Sequence, residues 1–244
     1  WSLQIYMKTD IGLVRHSNQD AVKAGVLSGN TAWAVVCDGM GGANGGNIAS
    51  ALAVDLISEQ ILSSGSEHIT DQSIKNLMIS AIYNANVAIY DRAMADETLA
   101  GMGTTVVAAI VSGGVAHIAH AGDSRAYLLT REGLRQITTD HSMVQELVNS
   151  GDLTTQQARR HPQKNIITRA LGVESGIEID YCECKFSGDD LLLLCTDGLT
   201  NYVEEEQIER LARELEARLL PDRLIALAKS GGGGDNVTVA VIRH

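Results

Sequence analysis

The sequence predicts an α+β fold built as one large domain. Two helical segments come one after the other before a run of short strands, whereas a βαβ protein would alternate strands with helices. The strands that follow, at 104–111, 115–121 and 125–130, are separated by short turns, and such turns join antiparallel neighbours. With 244 residues, 45% hydrophobic and only 4% aromatic, the chain can build a substantial core, mainly from Val, Ile, Leu and Ala.

Net charge and cysteine content exclude several classes of protein. The formal net charge is −11, and a protein that binds the nucleic-acid backbone needs a basic surface, so we expect no nucleic-acid partner. The four cysteines, Cys37, Cys182, Cys184 and Cys195, contain no Cys-x-x-Cys pair, and reduced thiols in a cytoplasmic protein are the better interpretation. The most apolar region, 104–121, is interrupted by a Ser-Gly-Gly turn, so it predicts two strands and no membrane span.

The N-terminal part of the chain predicts strands and then helices around a polar loop. Residues 3–9 alternate as in a strand, and a polar run from Val14 ends at Asp20. A hairpin signal at 27–31 leads into an apolar strand that ends at Asp38. Apolar residues at three- and four-residue spacing then predict helices over 48–62 and 74–89, the second with Asp71 as its N-cap.

The remaining elements alternate between strands, short helices and one basic segment. Residues 104–130 predict an antiparallel meander with Asp123 in a hairpin turn. The segment from about 150 to 172, which contains a helix with a Thr cap, is basic within an acidic protein; we interpret it as an insert over the site, and a solvated surface excursion is the alternative. A buried strand at 190–196, helices at 205–219 and 222–229, and a strand at 237–242 complete the chain.

One local construction, an Asp beside glycine at the end of a buried strand, occurs three times, at Asp38, Asp197 and Asp235. It is typical of metal and phosphate sites, although ordinary turn chemistry is the alternative. If these strand ends converge, the carboxylates repel one another unless cations lie between them, and oxygen ligands favour Mg²⁺ or Mn²⁺. Two such ions roughly 3.5–4 Å apart can activate a water against a phosphoryl group, which Arg15 could hold through its planar guanidinium.

The ordered motifs of the chain resemble those of the protein phosphatase 2C family, the metal-dependent protein Ser/Thr phosphatases. The resemblance extends from about residue 9 to residue 242. Residues 161–165, His-Pro-Gln-Lys-Asn, resemble the short single-domain bacterial branch that opposes bacterial Ser/Thr kinases. The motifs are Arg15-x-x-Asn18-Gln19-Asp20, Asp38-Gly39-Met40-Gly41-Gly42, Gly103-Thr104-Thr105, Gly122-Asp123-Ser124-Arg125, Thr196-Asp197-Gly198-Leu199-Thr200 and Gly234-Asp235-Asn236.

For the fold, the resemblance implies a four-layer α-β-β-α sandwich. Two central antiparallel sheets would be flanked by pairs of helices, with the metals in a cleft at one end. The whole chain, 1–244, would form one catalytic domain, and the basic insert at about 150–172 would be its mobile flap.

For the site, the resemblance implies a role for each matching residue. Asp38 matches the carboxylate that bridges two core metals, and the Gly39 carbonyl matches a ligand of one of them. Asp197 and Asp235 match ligands of the other metal, and Asp123 matches the acid that, with Asp197, holds a weaker third metal. Two further residues complete the set: Asp20 matches a carboxylate that orients metal-bound water, and Arg15 the phosphate-binding arginine.

Two positions depart from the family pattern. Animal members carry a His after the Asp-Gly pair, proposed as the general acid, where this chain has Met40. We therefore expect another proton donor, either water on the third metal at Asp123 or His161 in the flap, although a lone His is more often structural. Gln19 stands where many members have Glu, and we expect weaker metal affinity at most.

These observations predict hydrolysis of phosphoserine and phosphothreonine in proteins by direct attack of metal-activated water, without a phosphoenzyme. The chain has no Cys-x5-Arg loop and no Gly-x4-Gly-Lys-Ser/Thr loop, which disfavours cysteine phosphatases and P-loop kinases. We expect two core Mn²⁺ or Mg²⁺ ions with a weaker third, phosphoprotein substrates linked to a Ser/Thr kinase, and a monomer. The alternatives are a catalytically weak scaffold or sensor and a phosphatase dedicated to a regulator or a small phosphorylated metabolite.

Overall fold

The computed structural model describes residues 2–27, 30–42, 45–64 and 70–244, and two antiparallel sheets form its centre. The first sheet contains, in spatial order, β1 (Gln4–Asp10), β11 (Val237–Arg243), β10 (Leu191–Cys195), β7 (Arg125–Thr130) and β8 (Gly133–Gln136). The second sheet contains β2 (Asp20–Leu27), β3 (Thr31–Met40), β5 (Val106–Ser112), β6 (Val115–Ala121) and β9 (Asp180–Lys185), with β4 (Gly103–Thr104) paired to β3.

Helices cover the outer face of each sheet. The helices α1 (Gly45–Ser63) and α2 (Asp71–Ala95) pack on the second sheet, and α5 (Asp197–Thr200), α6 (Glu205–Glu214) and α7 (Leu220–Ser230) pack on the first. Two short helices, α3 (Met143–Asn149) and α4 (Thr155–Arg160), lie between β8 and β9, and 3₁₀ turns occupy Glu97–Leu99 and Ala217–Leu219. Within the part of the chain that the structure describes, no helix is both long and apolar enough to span a bilayer.

Three apolar layers hold the elements together, and the strand alternation explains them. In β3, Val35 packs toward α1 and α2 whereas Val36 packs between the sheets, because successive strand residues face opposite ways. In β10, Leu193 packs under α6 and α7 whereas Leu192 packs between the sheets. Because both faces of these strands are buried, their sequences are continuous apolar runs. The layers of helices, sheet, sheet and helices confirm the predicted α-β-β-α sandwich.

The predicted meander is wrong in its last step. Strands β5 and β6 pair as expected, but β7 pairs with β10 and β8 in the other sheet, so Asp123 lies in a crossing between sheets and not in a hairpin turn. Gly122 makes this crossing with a φ of +116°, and a Cβ there would meet the Thr105 side chain at 2.7 Å. Only glycine combines that backbone angle with so close an approach.

Several boundaries differ from the predicted ones. Thr70, not Asp71, is the N-cap of α2: its Oγ1 accepts a hydrogen bond from the Ser73 N–H at 3.2 Å. The helix expected over 205–219 ends at Glu214, and a 3₁₀ turn follows at 217–219. Strands β2 and β8 and the short helix α5 were not predicted. The hairpin between β2 and β3 is confirmed by the Leu27–Thr31 pair, although its tip at 28–29 lies outside the described residues.

The segment between β8 and β9 is attached to the sheets at both ends. Its helix α4 begins with the predicted Thr154 cap, which forms a capping box with Gln157. At the start, the Met143 N–H donates to the Ile166 carbonyl at 2.9 Å, and at the end Leu171 exchanges two backbone hydrogen bonds with Thr104. The C-terminal end of residues 150–172 therefore lies beside β4, and the residues just before it pair with the start of α3.

Candidate metal centre

The predicted site residues other than Asp20 and His161 line one cleft, of about 360 Å³, where the two sheets end side by side. Four acids, Asp38, Asp123, Asp197 and Asp235, line it, although they lie far apart in the chain. The remaining lining residues are Arg15, Gln19, Gly39, Met40, Gly41, Gly42, Thr105, Asn165, Ile167 and Asn236.

Two of the four acids come from the second sheet: Asp38 lies near the end of β3, and Asp123 lies two residues after β6. Asp38 at the end of β3 is directly opposite Asp20 at the start of β2. The Asp38 N–H donates to Thr105 Oγ1 at 3.0 Å, and the Thr105 N–H returns a bond to the Asp38 carbonyl at 2.9 Å. Thr105 Oγ1 also lies 2.7 Å from Ser124 Oγ, so this threonine connects the Asp38 strand to the Asp123 crossing.

The backbone around Gly39 is unusually crowded. A Cβ on Gly39 would lie 1.9 Å from the Gly46 carbonyl oxygen at the start of α1. The Gly39 N–H donates to the Gln19 carbonyl at 2.9 Å, and the Gln19 side chain donates to the Gly42 carbonyl at 3.2 Å. The glycine turn thus brings the backbone after Asp38 against α1 and beside the cleft.

The other two acids come from neighbouring strands of the first sheet. Asp197 begins α5 directly after β10, and Asp235 lies two residues before β11. A Cβ on Gly198 would lie 1.8 Å from the Asn236 carbonyl oxygen, so the Asp-Gly sequence lets these two strand ends touch. The charge of Asp197 contributes to the raised pKa of Asp38, so the carboxylates of the two sheets lie close together in the cleft.

Burial and mutual repulsion oppose ionisation of these acids. Burial, followed by the charges of Asp20 and Asp197, raises the pKa of Asp38 well above its usual range. The pKa of Asp123 is also raised well above its usual range, mainly by burial and next by the charge of Asp197. The pKa of Asp197 is raised by burial and next by the charge of Asp235. Carboxylates so arranged are stable as anions only with positive charge between them.

Two buried carboxylate oxygens, Asp20 Oδ1 and Asp197 Oδ1, have no hydrogen-bond partner among the described residues. Burial raises the pKa of Asp20 to about 7, even though its Oδ2 accepts bonds from Thr196 Oγ1 at 2.9 Å and Thr238 Oγ1 at 2.6 Å. Unpartnered oxygens in an all-oxygen donor set fit a hard divalent cation such as Mg²⁺ or Mn²⁺. The residues present therefore suit the metal centre that the sequence predicts.

Arg15, predicted to bind phosphate, lies at the mouth of the cleft on Asp235. Its Nε is 3.0 Å from Oδ1 and its Nη2 is 3.1 Å from Oδ2, so the guanidinium and the carboxylate form a two-pronged ion pair. Planar guanidinium binds phosphate with the same geometry. The pair is half exposed on the Arg15 side.

The sequence reasoning missed several residues that support the site. Asn236 Nδ2 donates to the carbonyls of Ile11 and Ser17, both at 3.0 Å, and its Oδ1 accepts from the Gln19 N–H, so one side chain holds the whole polar N-terminal loop. Thr196 and Thr238, which hold Asp20, were also missed. Their one sequence signal is position, because both lie within three residues of a predicted site acid.

His161, the predicted flap candidate for proton donation, is not among the residues that line the cleft. It ends helix α4, and its Nδ1 accepts a hydrogen bond from the Gln163 N–H at 3.1 Å. Asn165 and Ile167, a few residues further on, do line the cleft.

A second cleft, of about 380 Å³, opens from the first on the flap side. The two share Asp123, Asn165 and Asp197. Its walls carry four cationic side chains, from Arg125, Arg159, Arg160 and Lys164. The basic part of the predicted flap therefore faces a space that is continuous with the acidic site.

An α-β-β-α sandwich with an acid-lined cleft beside a guanidinium is the arrangement expected of a metal-dependent phosphatase. The family model described as Protein phosphatase 2C matches residues 14–229 of the chain. The chain belongs to the protein phosphatase 2C family and is a metal-dependent protein Ser/Thr phosphatase of the bacterial type, as predicted.

Individual relatives agree with this assignment. The serine/threonine phosphatase stp of Listeria monocytogenes is 41% identical over 242 residues, which cover 97% of this chain and 94% of that protein. The structure of Stp1 from Staphylococcus aureus matches with a TM-score of 0.93 and 34% identity, over 100% of this chain and 96% of that one. A PstP catalytic domain in complex with two manganese ions matches with a TM-score of 0.86 and 34% identity, over 99% and 97% of the two chains.

Proposed function

We propose that the acidic cleft holds two core Mn²⁺ or Mg²⁺ ions and a weaker third, and that it hydrolyses phosphoserine and phosphothreonine in proteins. The convergence of Asp38, Asp123, Asp197 and Asp235 from both sheets carries this proposal. Asp38 and the Gly39 carbonyl would hold the core ions together with Asp197 and Asp235. Asp123, with Asp197, would hold the third ion.

Other residues of the cleft region would orient the water and bind the phosphoryl group. When bound, such cations act as Lewis acids that make water nucleophilic near neutral pH. Asp20 would orient the attacking water through Oδ1, which has no partner among the described residues, while two threonine hydroxyls hold its Oδ2. Arg15 binds the phosphoryl oxygens from the open side of the cleft.

The complete acid set also weighs against the scaffold or sensor alternative, because a binding module does not need four converging carboxylates. Hydrolysis of p-nitrophenyl phosphate with Mn²⁺ or Mg²⁺, and with EDTA, tests the proposal directly. We expect turnover with either cation and none with EDTA. Full activity in EDTA would contradict a metal centre. No activity with any divalent cation would favour the scaffold or sensor alternative.

The leaving serine or threonine oxygen needs a proton donor. We propose that it is supplied at the Asp123 side of the cleft, with His161 as the other candidate. The two are distinguished by Asp123→Ala and His161→Ala, each assayed on a phosphopeptide and on an aryl phosphate, whose leaving group needs no acid. The variant that loses turnover on the phosphopeptide selectively, by about 10²–10⁴-fold, identifies the donor site. If neither does, both candidates are wrong.

The substrates we propose are phosphoproteins linked to a bacterial Ser/Thr kinase, since relatives named serine/threonine phosphatase cover the whole chain. The second cleft supports a protein substrate, because Arg160 and Lys164 on its wall offer cationic side chains beyond the phosphate site, whereas Arg125 and Arg159 are paired with Asp140 and Glu204. A screen of phosphopeptides against phosphorylated metabolites decides between the substrate classes. A clear preference for a metabolite would contradict the proposal.

We also propose that residues 1–244 form one monomeric catalytic domain with 150–172 as its flap, and that it works in the cytoplasm. The four free cysteines support a reducing compartment, since Cys37 and Cys195 are buried in strands as thiols. Light scattering of the purified chain tests the monomer, and isothermal titration with Mn²⁺ tests the number of ions.

A further inference from the structure

We propose that His141 is a positioning residue that holds the Asp123 crossing in place and thereby sets the cation affinity at Asp123. The inference rests on the proposed role of Asp123 as a ligand of the third ion. His141 lies behind the cleft wall and does not line the cleft itself.

The N–H and the carbonyl of Gly122 both form hydrogen bonds with His141. The Gly122 N–H donates to His141 Nδ1 at 3.0 Å, and the His141 N–H donates to the Gly122 carbonyl at 2.9 Å. Gly122 is the residue whose positive φ turns the chain from one sheet to the other, immediately before Asp123. A displaced His141 ring would therefore leave the Gly122 N–H unpaired and loosen the turn that aims the Asp123 carboxylate, with only the backbone bond to the Gly122 carbonyl remaining.

The His141 ring is fixed on all sides. Because Nδ1 accepts from Gly122, the ring hydrogen lies on Nε2, which donates to Asp180 Oδ2 at 2.9 Å. The ring stacks on His120 with centroids 4.5 Å apart and planes inclined by 6°, and His120 Nε2 is itself held by the Thr139 carbonyl at 2.9 Å. His141 is only 8% exposed.

His120, His141 and Asp180 have their potential ligand atoms within 4.8 Å of one another, but a metal ion is not what joins them. The Gly122 N–H already occupies His141 Nδ1. The Arg169 guanidinium supplies the positive charge, since its Nη1 is 2.8 Å from Asp180 Oδ1. Burial of Asp180 is outweighed by the hydrogen bonds from His141 and Arg169, which lower its pKa and keep it an anion that orients the ring.

The Asp123 carboxylate depends on this support because it has little of its own. In the described chain, no other residue donates a hydrogen bond to it, and Arg125, the next cation along the chain, pairs with Asp140 instead. The direction of the carboxylate is therefore set by the backbone of the crossing. Groups that orient metal ligands from behind in this way are typically worth 10–100-fold in metal affinity.

The test compares three substitutions at His141 by isothermal titration of the metal-free protein with Mn²⁺. In His141→Asn, the amide oxygen lies near the Nδ1 position and can still accept from the Gly122 N–H. In His141→Gln, the side chain reaches Asp180 but leaves the Gly122 N–H unpaired. His141→Ala makes neither hydrogen bond. We expect His141→Asn to bind the weakest ion within about threefold of wild type. His141→Gln and His141→Ala should weaken that ion by about 10–100-fold, with smaller changes at the tight sites.

Two controls separate the possible failures. Asp123→Ala should remove the weakest binding event; if it does not, the proposed ligand role of Asp123 is wrong and the inference falls with it. If Asp123→Ala removes the event but Asn and Gln at position 141 behave alike, the inference alone is wrong. Thermal unfolding in EDTA reports a purely structural effect, which would lower the melting temperature of the Asn and Gln variants equally and leave the weak site unchanged.

Discussion

Arg15 binds Asp235 through two nitrogens, with Nε 3.0 Å from Oδ1 and Nη2 3.1 Å from Oδ2. One partner is expected to hold phosphate and the other to hold a cation. The pair thus joins the two binding functions of the cleft in a single contact. A phosphoryl group that reaches Arg15 and a cation that reaches Asp235 each replace half of this pair, so substrate and metal would be bound without leaving either charge uncompensated.

Removal of the Arg15 guanidinium should weaken substrate binding but not metal binding. Hydrogen bonds to charged groups contribute about 1.5–3 kcal/mol, so Arg15→Ala should lower kcat/KM on a phosphopeptide by about 10–100-fold. Mn²⁺ affinity, measured by titration, should stay equal or rise because Asp235 loses a competing partner. Arg15→Lys is the matched variant, because it keeps the positive charge but lacks the planar guanidinium that can make two parallel hydrogen bonds. An equal loss of Mn²⁺ affinity in Arg15→Ala and Asp235→Asn would refute this division of roles.

Asp38 should be the most sensitive of the site acids, because it is the one that both core ions would share. Asp38→Asn keeps the size of the side chain and removes its charge, and we expect it to lower kcat with Mn²⁺ by more than about 100-fold, the upper end of effects from groups behind the ligands. Arg160→Ala, at an exposed position of the basic segment, is the comparison. A greater loss in the Arg160 variant would contradict the assignment.

The threonines that hold Asp20 should matter for activity beyond their effect on stability. Thr238→Val removes the hydroxyl that donates to Asp20 Oδ2 at 2.6 Å but keeps the shape of the side chain. We expect kcat to fall by about 10–100-fold, since Asp20 is no longer oriented. Thr238→Ser restores the hydroxyl and should restore most of the rate. Equal rates for the Val and Ser variants would mean that the hydroxyl has no such role.

The metal-free protein should lose stability as the pH rises. The pKa of Asp20 is raised from about 3.9 in the unfolded chain to about 7 in the fold, so the folded state holds the proton more tightly. Protonation of Asp20 contributes fully to the free energy of unfolding below about pH 4, and this contribution is lost as the pH rises past about 7. At 1.36 kcal/mol per pKa unit, it amounts to about 4 kcal/mol at most.

Thermal unfolding in EDTA between about pH 5 and pH 8 measures this effect. The melting temperature should fall across that range, and added Mn²⁺ should raise it more at pH 8 than at pH 5. Asp20→Asn, which cannot ionise, should show a smaller fall. A melting temperature that rises with pH in wild type and in Asp20→Asn alike would argue against a raised pKa for Asp20.

Close contact between the two strand ends at Gly198 should make this glycine irreplaceable. A Cβ there would lie 1.8 Å from the Asn236 carbonyl oxygen, a backbone atom that cannot rotate away. Gly198→Ala should cost about 1–3 kcal/mol or more, and thus lower the melting temperature by about 2–4 °C per kcal/mol. Gly176→Ala is the control, because a Cβ there meets nothing within 4 Å. Equal melting temperatures for the two variants would show that this contact is relaxed.

The acids of the site could be predicted from the sequence because each is marked locally. Asp38 and Asp197 follow apolar strands and precede glycine, and those glycines are where the backbone approaches another element most closely. The arrangement of the strands was less accessible. Nothing near Gly122 indicates whether β7 pairs with β6 or with β10, since a tight turn serves both a hairpin and a crossing. That choice depends on how the buried faces of both sheets pack.

The supporting groups could not be predicted for a related reason. Thr238 and His141 would act through hydrogen bonds to residues 218 and 19 positions away in the chain, and an isolated threonine or histidine carries no sign of such a partner. Asn18 and Gln19 belong to the motif that begins at Arg15, but nothing in the sequence marks their hydrogen bonds to the Asp20 N–H and to the Gly42 carbonyl.

Asp20 and Asp38 lie in strands of one sheet, Asp197 and Asp235 flank strands of the other, and Asp123 lies in the chain that passes between the sheets. Ions bound by this set would join the two halves of the sandwich across their seam. Any slippage of one half on the other, even from a substitution deep among Val36, Leu192 and their neighbours, would then change the spacing of the ligands. Catalytic rate in this enzyme should therefore record the alignment of its interior, and remote packing variants with normal folds could be slow for that reason alone.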